Sequence, residues 1–370
     1  MNKTPLFEKH KSLGARIVDF GGWRMPVQYS GVIAEYNATR ERAALYDICH
    51  MGEFLISGKR ATAALSHICT NDINKLKPGV CHYTFMCTPS GGTVDDLIIF
   101  RLSDEKYMLV VNAANTKKDF DWIKENAGPD VDLEDISQKT GKIDLQGPQS
   151  AAVLERVTNA PFGELGFFRF LRTKIGDREI IISRSGYTGE LGYELFAPAD
   201  FITELWNIIS GAGTDYGLVP AGLGARDILR LEMGYSLYGH ELTDKISPVC
   251  AGINFAVKFN KDEFIGKEAL LQEKENGPEL LKKAFIFEGR GVPREGSRIF
   301  VGDRDVGFIT SGSFSPSLKK PVCLGYVKTE SVEEIPEAEY MVEVRNRKFP
   351  ASETELPFYR KGSLKQEVKI

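Results

Sequence analysis

The sequence has no excess of charge of either sign. Its 47 basic and 51 acidic residues leave a formal net charge of −4, so nothing electrostatic argues for nucleic acid or a membrane surface as a partner. Cysteine is sparse: Cys49, Cys69, Cys81, Cys87, Cys250 and Cys323 are scattered, with no C-x-x-C pair, and the five histidines form no H-E-x-x-H. No metal site is expected from such spacing. In a chain of this size an even cysteine count reads as free thiols in a reducing compartment. No apolar run is long enough to span a bilayer. The first residues, MNKTPLFEKHKSLGARIVDF, lack the apolar centre of a signal peptide, and a cytoplasmic location is expected. There is no G-K-[ST] phosphate loop and no dinucleotide fingerprint.

What is present is ordinary globular material: 370 residues, 42% hydrophobic and 26% charged, enough for two or three domains. The run from Ala34 to Leu45 reads as a helix, GEFLISG and YMLVVNAAN as strands, and TKKDFDWIKENA as a helix. The acidic GPDVDLEDISQK closes a first lobe in this reading. IDLQGPQSAAVLERV reads as strand, turn and helix, REIIISRSGYTGELGYELFAP as two strands joined by a glycine-rich loop, and ADFITELWNIIS as an amphipathic helix. Composition turns charged at LLQEKENGPELLKKA, where the last domain boundary is expected. The short alternating runs beyond it suggest a small β-barrel or sandwich.

The stretch GGTVDDLIIF, Gly91 to Phe100, reads as a buried strand with adjacent acids in its middle. Alternation would put Val94, Asp96, Ile98 and Phe100 on one face and Thr93, Asp95, Leu97 and Ile99 on the other. Both faces are otherwise largely apolar, and an unpaired buried carboxylate is expensive or stays neutral. Two readings are open: one acid caps the Gly-Gly turn while the other pairs with an arginine, or a carboxylate is held in a pocket for chemistry. In SGYTGELGYE, Gly186, Gly189 and Gly192 permit a tight path and close approach of a ligand. Tyr187 and Glu194 then face a common cavity; the alternative is a hairpin turn with solvated acids. In AGLGARDILRLEMGYSLYG, Gly222 and Gly224 precede a helix on which Arg226 and Arg230 share a face. The alternative is a solvated face, with Arg230 answering Asp227. HMGEF, NDINKL and CHYTFMC add His50, Asp72 and Tyr83. His50 reads as a packed or capping histidine, and no nucleophile-elbow motif supports a triad.

These pieces occur in one order across nearly the whole chain. TPLFEKHKSLGARIVDFGGWRMPVQY, HMGEF, GGTVDDLIIF, VVNAAN, GYTGELGYE, GLGARDILRLE, LYGHEL and TSGSFSPSLKK resemble the aminomethyltransferase (T-protein) family of the glycine cleavage system. The resemblance implies an α+β, three-domain cloverleaf around a folate cavity, with a mostly β, barrel-like C-terminal domain. Its domains would be 1–50 with 140–245, 51–139 and 280–370, with 246–279 connecting. It implies tetrahydrofolate as co-substrate, with no metal, flavin or nicotinamide. A lipoylated carrier, the H-protein, would bring an aminomethyl group on a dihydrolipoyl sulfur. Ammonia would leave and the one-carbon unit would pass to tetrahydrofolate, giving methylenetetrahydrofolate. The glycine decarboxylase and dihydrolipoamide dehydrogenase components would be functional neighbours.

Carried over residue by residue, Asp96 matches the family's catalytic aspartate and Asp95 is structural. Asp96 would orient the folate's reactive nitrogens, accept a proton and stabilise the cation expected as ammonia leaves. Glu194 would accept adjacent N–H donors from the pterin edge, and Arg226 would hold a carbonyl or carboxylate. Tyr83, Asn112 and Tyr187 match further folate contacts. Met51, Val111 and Tyr235 would line the cavity, and Arg360 in PFYRKGSLK would meet the glutamyl tail.

Relatives that share this cloverleaf set the alternatives. Sarcosine and dimethylglycine dehydrogenases carry it fused to a flavin domain, for which this chain is too short. A folate-binding protein of iron–sulfur maintenance carries a Lys-Gly-Cys motif, whereas SPVCAGINFAVKF has no Lys-Gly before Cys250. Leu191 stands where an acid is common in the family and reads as a tolerated loop change. The alternatives to the aminomethyltransferase are a folate-binding scaffold without turnover, which Asp96 disfavours, and a folate-dependent demethylase or methyltransferase acting on another amine or sulfonium donor.

Overall fold

Strand Thr140–Gln146 is central to a sheet assembled from distant segments, in the order Phe170–Ile175, Arg178–Ser183, Gly192–Pro198, Thr140–Gln146, Ala44–Asp47 and Val219–Ala221. Neighbours are antiparallel except the last pair. Alternation along TGKIDLQ sets the faces. Ile143 and Leu145 enter a core with Leu195, Trp206 and Ile209, which leaves Lys142, Asp144 and Gln146 together on the other side. Helix Ile202–Ala212 covers the apolar face, because Ile202, Leu205, Trp206 and Ile209 recur at helical spacing and are buried. The expected helix at 34–45 is shorter, Val32–Glu41, and the chain turns into strand Ala44–Asp47. Ala44 and Leu45 are fully buried within the sheet, and that burial outweighs the helix propensity of the run.

The computed structural model describes residues 1–289, 291–334, 339–366 and 368. A second sheet, antiparallel throughout, runs Cys81–Cys87, Thr93–Ser103, Lys106–Val111, Gly52–Ser57 and Asp132–Asp135. The acidic segment expected to close a lobe thus supplies an edge strand. Leu65 and Ile68 of helix Ala61–Ile68 and Ile123 of helix Thr116–Asn126 back the outer face. The ladder shifts register between Met86 and Cys87, a bulge opposite Val94. Val94 therefore packs with Leu97 and Ile99 in the outer core, not beside Asp96 as simple alternation had it. On the inner face, Phe100, Met108 and Val110 meet Phe170 and Phe196 of the first sheet. The Phe100 and Phe196 rings lie 5.3 Å apart. The two sheets face each other through this contact, which brings their inward polar residues to one region.

The last segment closes a six-stranded barrel, Leu280–Phe287, Lys320–Lys328, Arg304–Ser315, Arg298–Val301, Tyr340–Val344 and Arg347–Thr354. Helix Leu223–Glu232 joins it to the rest. Arg230 donates to Glu241 at 3.0 Å and to Ser311 at 2.9 Å, Ser315 donates to Glu232 at 2.6 Å, and Leu231 packs on Val322 and Leu324. Residues 246–279 lie against the second sheet, where Val249, Ala251 and Phe264 meet Phe85 and Cys87. We propose domain limits at these changes of partner: 1–50 with 140–245, 51–139 and 280–370, with 246–279 connecting. Gly222, at the start of the joining helix, lies so close to the Val27 backbone that a Cβ would sit 2.4 Å from its carbonyl carbon. Gly222→Ala is expected to displace this helix and lower stability by about 1–3 kcal/mol, read by denaturant unfolding.

Candidate functional site

The partners of the acid pair are amides and a tyrosine, not an arginine or the Gly91–Gly92 turn. Asp95 accepts from the Asn112 backbone N–H at 3.0 Å, Asn112 Nδ2 at 2.9 Å and Asn115 Nδ2 at 2.7 Å. Asp96 accepts from the Tyr83 hydroxyl at 2.8 Å and Asn112 Nδ2 at 2.9 Å. Asn112 directly follows strand Lys106–Val111 and spans both acids. Burial, and then the charge of Asp95, push Asp96 up to about 7, while its hydrogen bonds oppose the shift.

The first sheet contributes a second polar row. Glu194 stands opposite Asp144 across the ladder, so the two share a face. Lys142 Nζ lies 3.1 Å from Glu194 Oε1, and the Ser185 hydroxyl donates to Oε2 at 2.6 Å. Burial alone would raise the Glu194 carboxyl, but Lys142, Ser185 and Arg226 hold it below the usual range. Arg226 Nη1 donates to Asp144 Oδ2 at 2.7 Å. Burial pushes Asp144 up to about 6 despite that arginine.

Tyr187 links the two rows. The Arg226 guanidinium lies 5.0 Å from its ring centre, and the ring stacks on Tyr235 at 5.7 Å. Burial raises the Tyr187 hydroxyl above the usual range, and the charges of Arg230, Asp96, Glu241 and Arg226 also reach it. Met51 Sδ is 3.7 Å from Lys142 Nζ. Asp96, Tyr83, Asn112, Tyr187, Tyr235, Arg226, Glu194 and Met51 are thus connected in one region.

Val111 is placed elsewhere. The Val111 side chain is fully buried in the outer core with Phe54 and Leu109, because alternation turns Val110 inward instead. Arg360 is 62% exposed and reaches Glu355 at 3.4 Å. His50 is a packed histidine, its ring edge-on to Phe20 at 5.7 Å, and burial lowers it to about 4. Leu191 is buried in the first core.

The residues that sequence reasoning missed are Lys142, Asp144, Gln146, Ser185, Asn115 and Glu53. A signal existed for the first three: polar residues at every second position of TGKIDLQ inside an apolar strand. Glu53 is 1% exposed, and no hydrogen-bond partner among the described residues reaches either oxygen. Burial pushes it up to about 8, against the pull of Lys142. Its folded value lies above its unfolded one, so between about pH 5 and 8 the folded protein holds a proton that the unfolded chain releases. Stability from this group therefore falls as pH rises through that window. Glu53→Gln should flatten the decline, as measured by urea midpoints across pH.

A family model described as "GCVT N-terminal domain" matches residues 6–261, and one described as "Glycine cleavage T-protein C-terminal barrel domain" matches 282–360. An aminomethyltransferase of Desulforamulus reducens is 47% identical over 98% of this chain and 99% of its own. One from Halothermothrix orenii is 44% identical over 97% of this chain and all of its own (100%). The crystal structure of the glycine cleavage system aminomethyltransferase T from Bartonella henselae matches with a TM-score of 0.91 at 34% identity, covering 98% of this chain and 99% of that one. The architecture is that of a GCVT domain followed by its barrel. The chain belongs to the glycine cleavage T-protein family.

Proposed function

We propose that the protein is the aminomethyltransferase of a glycine cleavage system and that the region between the two sheets is where it works. It takes the aminomethyl group from the dihydrolipoyl arm of the H-protein, releases ammonia and gives methylenetetrahydrofolate. Working alongside it are the glycine decarboxylase and dihydrolipoamide dehydrogenase components. The observation that carries the reading is the placement of Asp96. A carboxyl held near neutrality by burial and by Asp95 can exchange a proton at working pH, and it lies in one connected region with Glu194 and Arg226.

The residues suit a flat, polar heterocycle. Glu194 is kept ionised by Lys142 and Ser185 and can accept from adjacent N–H groups of a pterin edge. Arg226, fixed by Asp144, presents donors toward a carbonyl. The stacked Tyr187 and Tyr235 rings supply an aromatic wall. Tyr83 and Asn112 orient the Asp96 carboxylate, which takes a proton from the folate nitrogen and stabilises positive charge developing as ammonia leaves. No metal, flavin or nicotinamide enters this mechanism. Among the described residues no helix is long and apolar enough to cross a membrane, and we read the enzyme as cytoplasmic.

The test is a coupled assay with tetrahydrofolate and an aminomethyl-loaded lipoyl carrier, following ammonia and methylenetetrahydrofolate together. Equal release of both is the expected result. Tight folate binding without ammonia release would move the protein to a scaffold, or to an enzyme for another amine or sulfonium donor.

A further inference from the structure

Behind the acid pair lies a third acid. Asp119, in the first turn of helix Thr116–Asn126, is fully buried, and no donor among the described residues reaches either carboxyl oxygen. Asp119 follows Asn115 by one helical turn, and the Asn115 amide reaches Asp95 at 2.7 Å, so Asp119 and the Asp95 carboxyl share one buried cluster and act on each other. Asp95 already takes its Asn112 backbone, Asn112 amide and Asn115 amide donors, the surroundings of an ionised acid. Two adjacent charges are not tolerated in so dry a place. One proton must therefore sit between the two carboxyls, and Asp119 is the partner with nothing else to hold a charge. The Asn112 amide then carries the link forward, reaching Asp95 Oδ1 and Asp96 Oδ1, each at 2.9 Å.

We propose that Asp119 stays protonated and donates to Asp95, fixing on Asp95 the negative charge that keeps Asp96 proton-seeking. Asp119 is a positioning residue for Asp96 that acts through Asp95, and this rests on the reading of Asp96 as proton acceptor. The direction of the shifts agrees: burial, then Asp95, push Asp119 up to about 11 and Asp96 up to about 7. The other charged and titratable groups around the cluster are accounted for. Lys118 on the same helix spends its ammonium on the Val94 carbonyl at 2.6 Å and the Tyr238 hydroxyl at 2.7 Å, with Asp244 at 3.4 Å. Tyr83 faces Asp96 from the adjacent strand, and Tyr187 acts on it from the loop before Glu194.

Infrared difference spectroscopy of the free protein against Asp119→Asn tests the proton directly. At pH values where ordinary aspartates are ionised, the variant should lack the C=O band of one neutral carboxyl. Loss of an ionised carboxylate band instead would overturn the proposal, whatever the protein's activity proves to be. The pH profile of turnover tests the link to Asp96. An asparagine N–H replaces the acid's O–H toward Asp95, so Asp119→Asn should leave the acid limb in place. Asp119→Leu has no donor toward Asp95, so the charge that raises Asp96 is no longer fixed there, and the limb should fall by about one pH unit. Equal movement in both variants, or none in either, would break the connection. If the leucine variant does not fold, the infrared result on the asparagine variant decides the matter.

Discussion

Asp96→Asn should bind tetrahydrofolate as the native protein does while turning over about 10²–10⁴-fold more slowly, the range that a positioned proton acceptor contributes. The substitution is isosteric. The Tyr83 hydroxyl can still donate to the remaining oxygen, and Asn112 Nδ2 keeps its bonds to Asp95 Oδ1 and the Asp96 carbonyl at 2.9 and 3.1 Å. What disappears is the negative charge and its capacity to take a proton. The native enzyme carries a further signature. Its Asp96 is held up to about 7, and the base must be ionised to act, so activity rises with pH through that value. The variant should lack this limb. The measurements are equilibrium folate binding and the coupled assay across pH, made on the same preparation. Full turnover in Asp96→Asn would remove Asp96 from the mechanism, and a large loss of folate binding would make it a contact rather than a base.

How far the sequence led depends on the range of the interaction. Helix Ile202–Ala212 and the barrel strands were legible because their apolar spacing is local, and Asp96 was conspicuous because two acids interrupt an apolar strand. The end of helix Val32–Glu41 was not legible, since Ala44 and Leu45 are claimed by a sheet whose other strands come from distant residues. The Val94 bulge depends on the register against Cys81–Cys87, which no alternation rule contains. Asp119 stands in a helix segment, TKKDFDWIKEN, that is rich in charged residues. Its burial follows only from where that helix docks. Val111 shows the limit of carrying positions over from a family: a motif supplies the position, while the strand's phase settles where the side chain goes.

Glu194→Gln is expected to raise the tetrahydrofolate dissociation constant by about 10²-fold or more. A hydrogen bond to a charged group is worth about 1.5–3 kcal/mol, two are at stake at a bidentate pterin edge, and about 1.4 kcal/mol is tenfold. Glutamine also turns one acceptor into a donor facing a donor. A competing explanation is that Glu194 serves only to neutralise Lys142, which is 1% exposed and 3.1 Å away. Breaking a buried pair by removing one partner destabilises the protein by about 3–5 kcal/mol, so Glu194→Gln alone would confuse the two roles. The double variant Glu194→Gln with Lys142→Met separates them. If the glutamate is a structural counter-ion, removing both charges restores stability and folate binding together. If it recognises the pterin, stability returns while the binding defect stays. Isothermal binding and denaturant unfolding on the single and double variants read both quantities. Because Asp144, Arg226 and Lys142 form one charged row with Glu194, coupling between the substitutions is expected in stability. The persistence of the binding defect in the double variant therefore decides the role of Glu194.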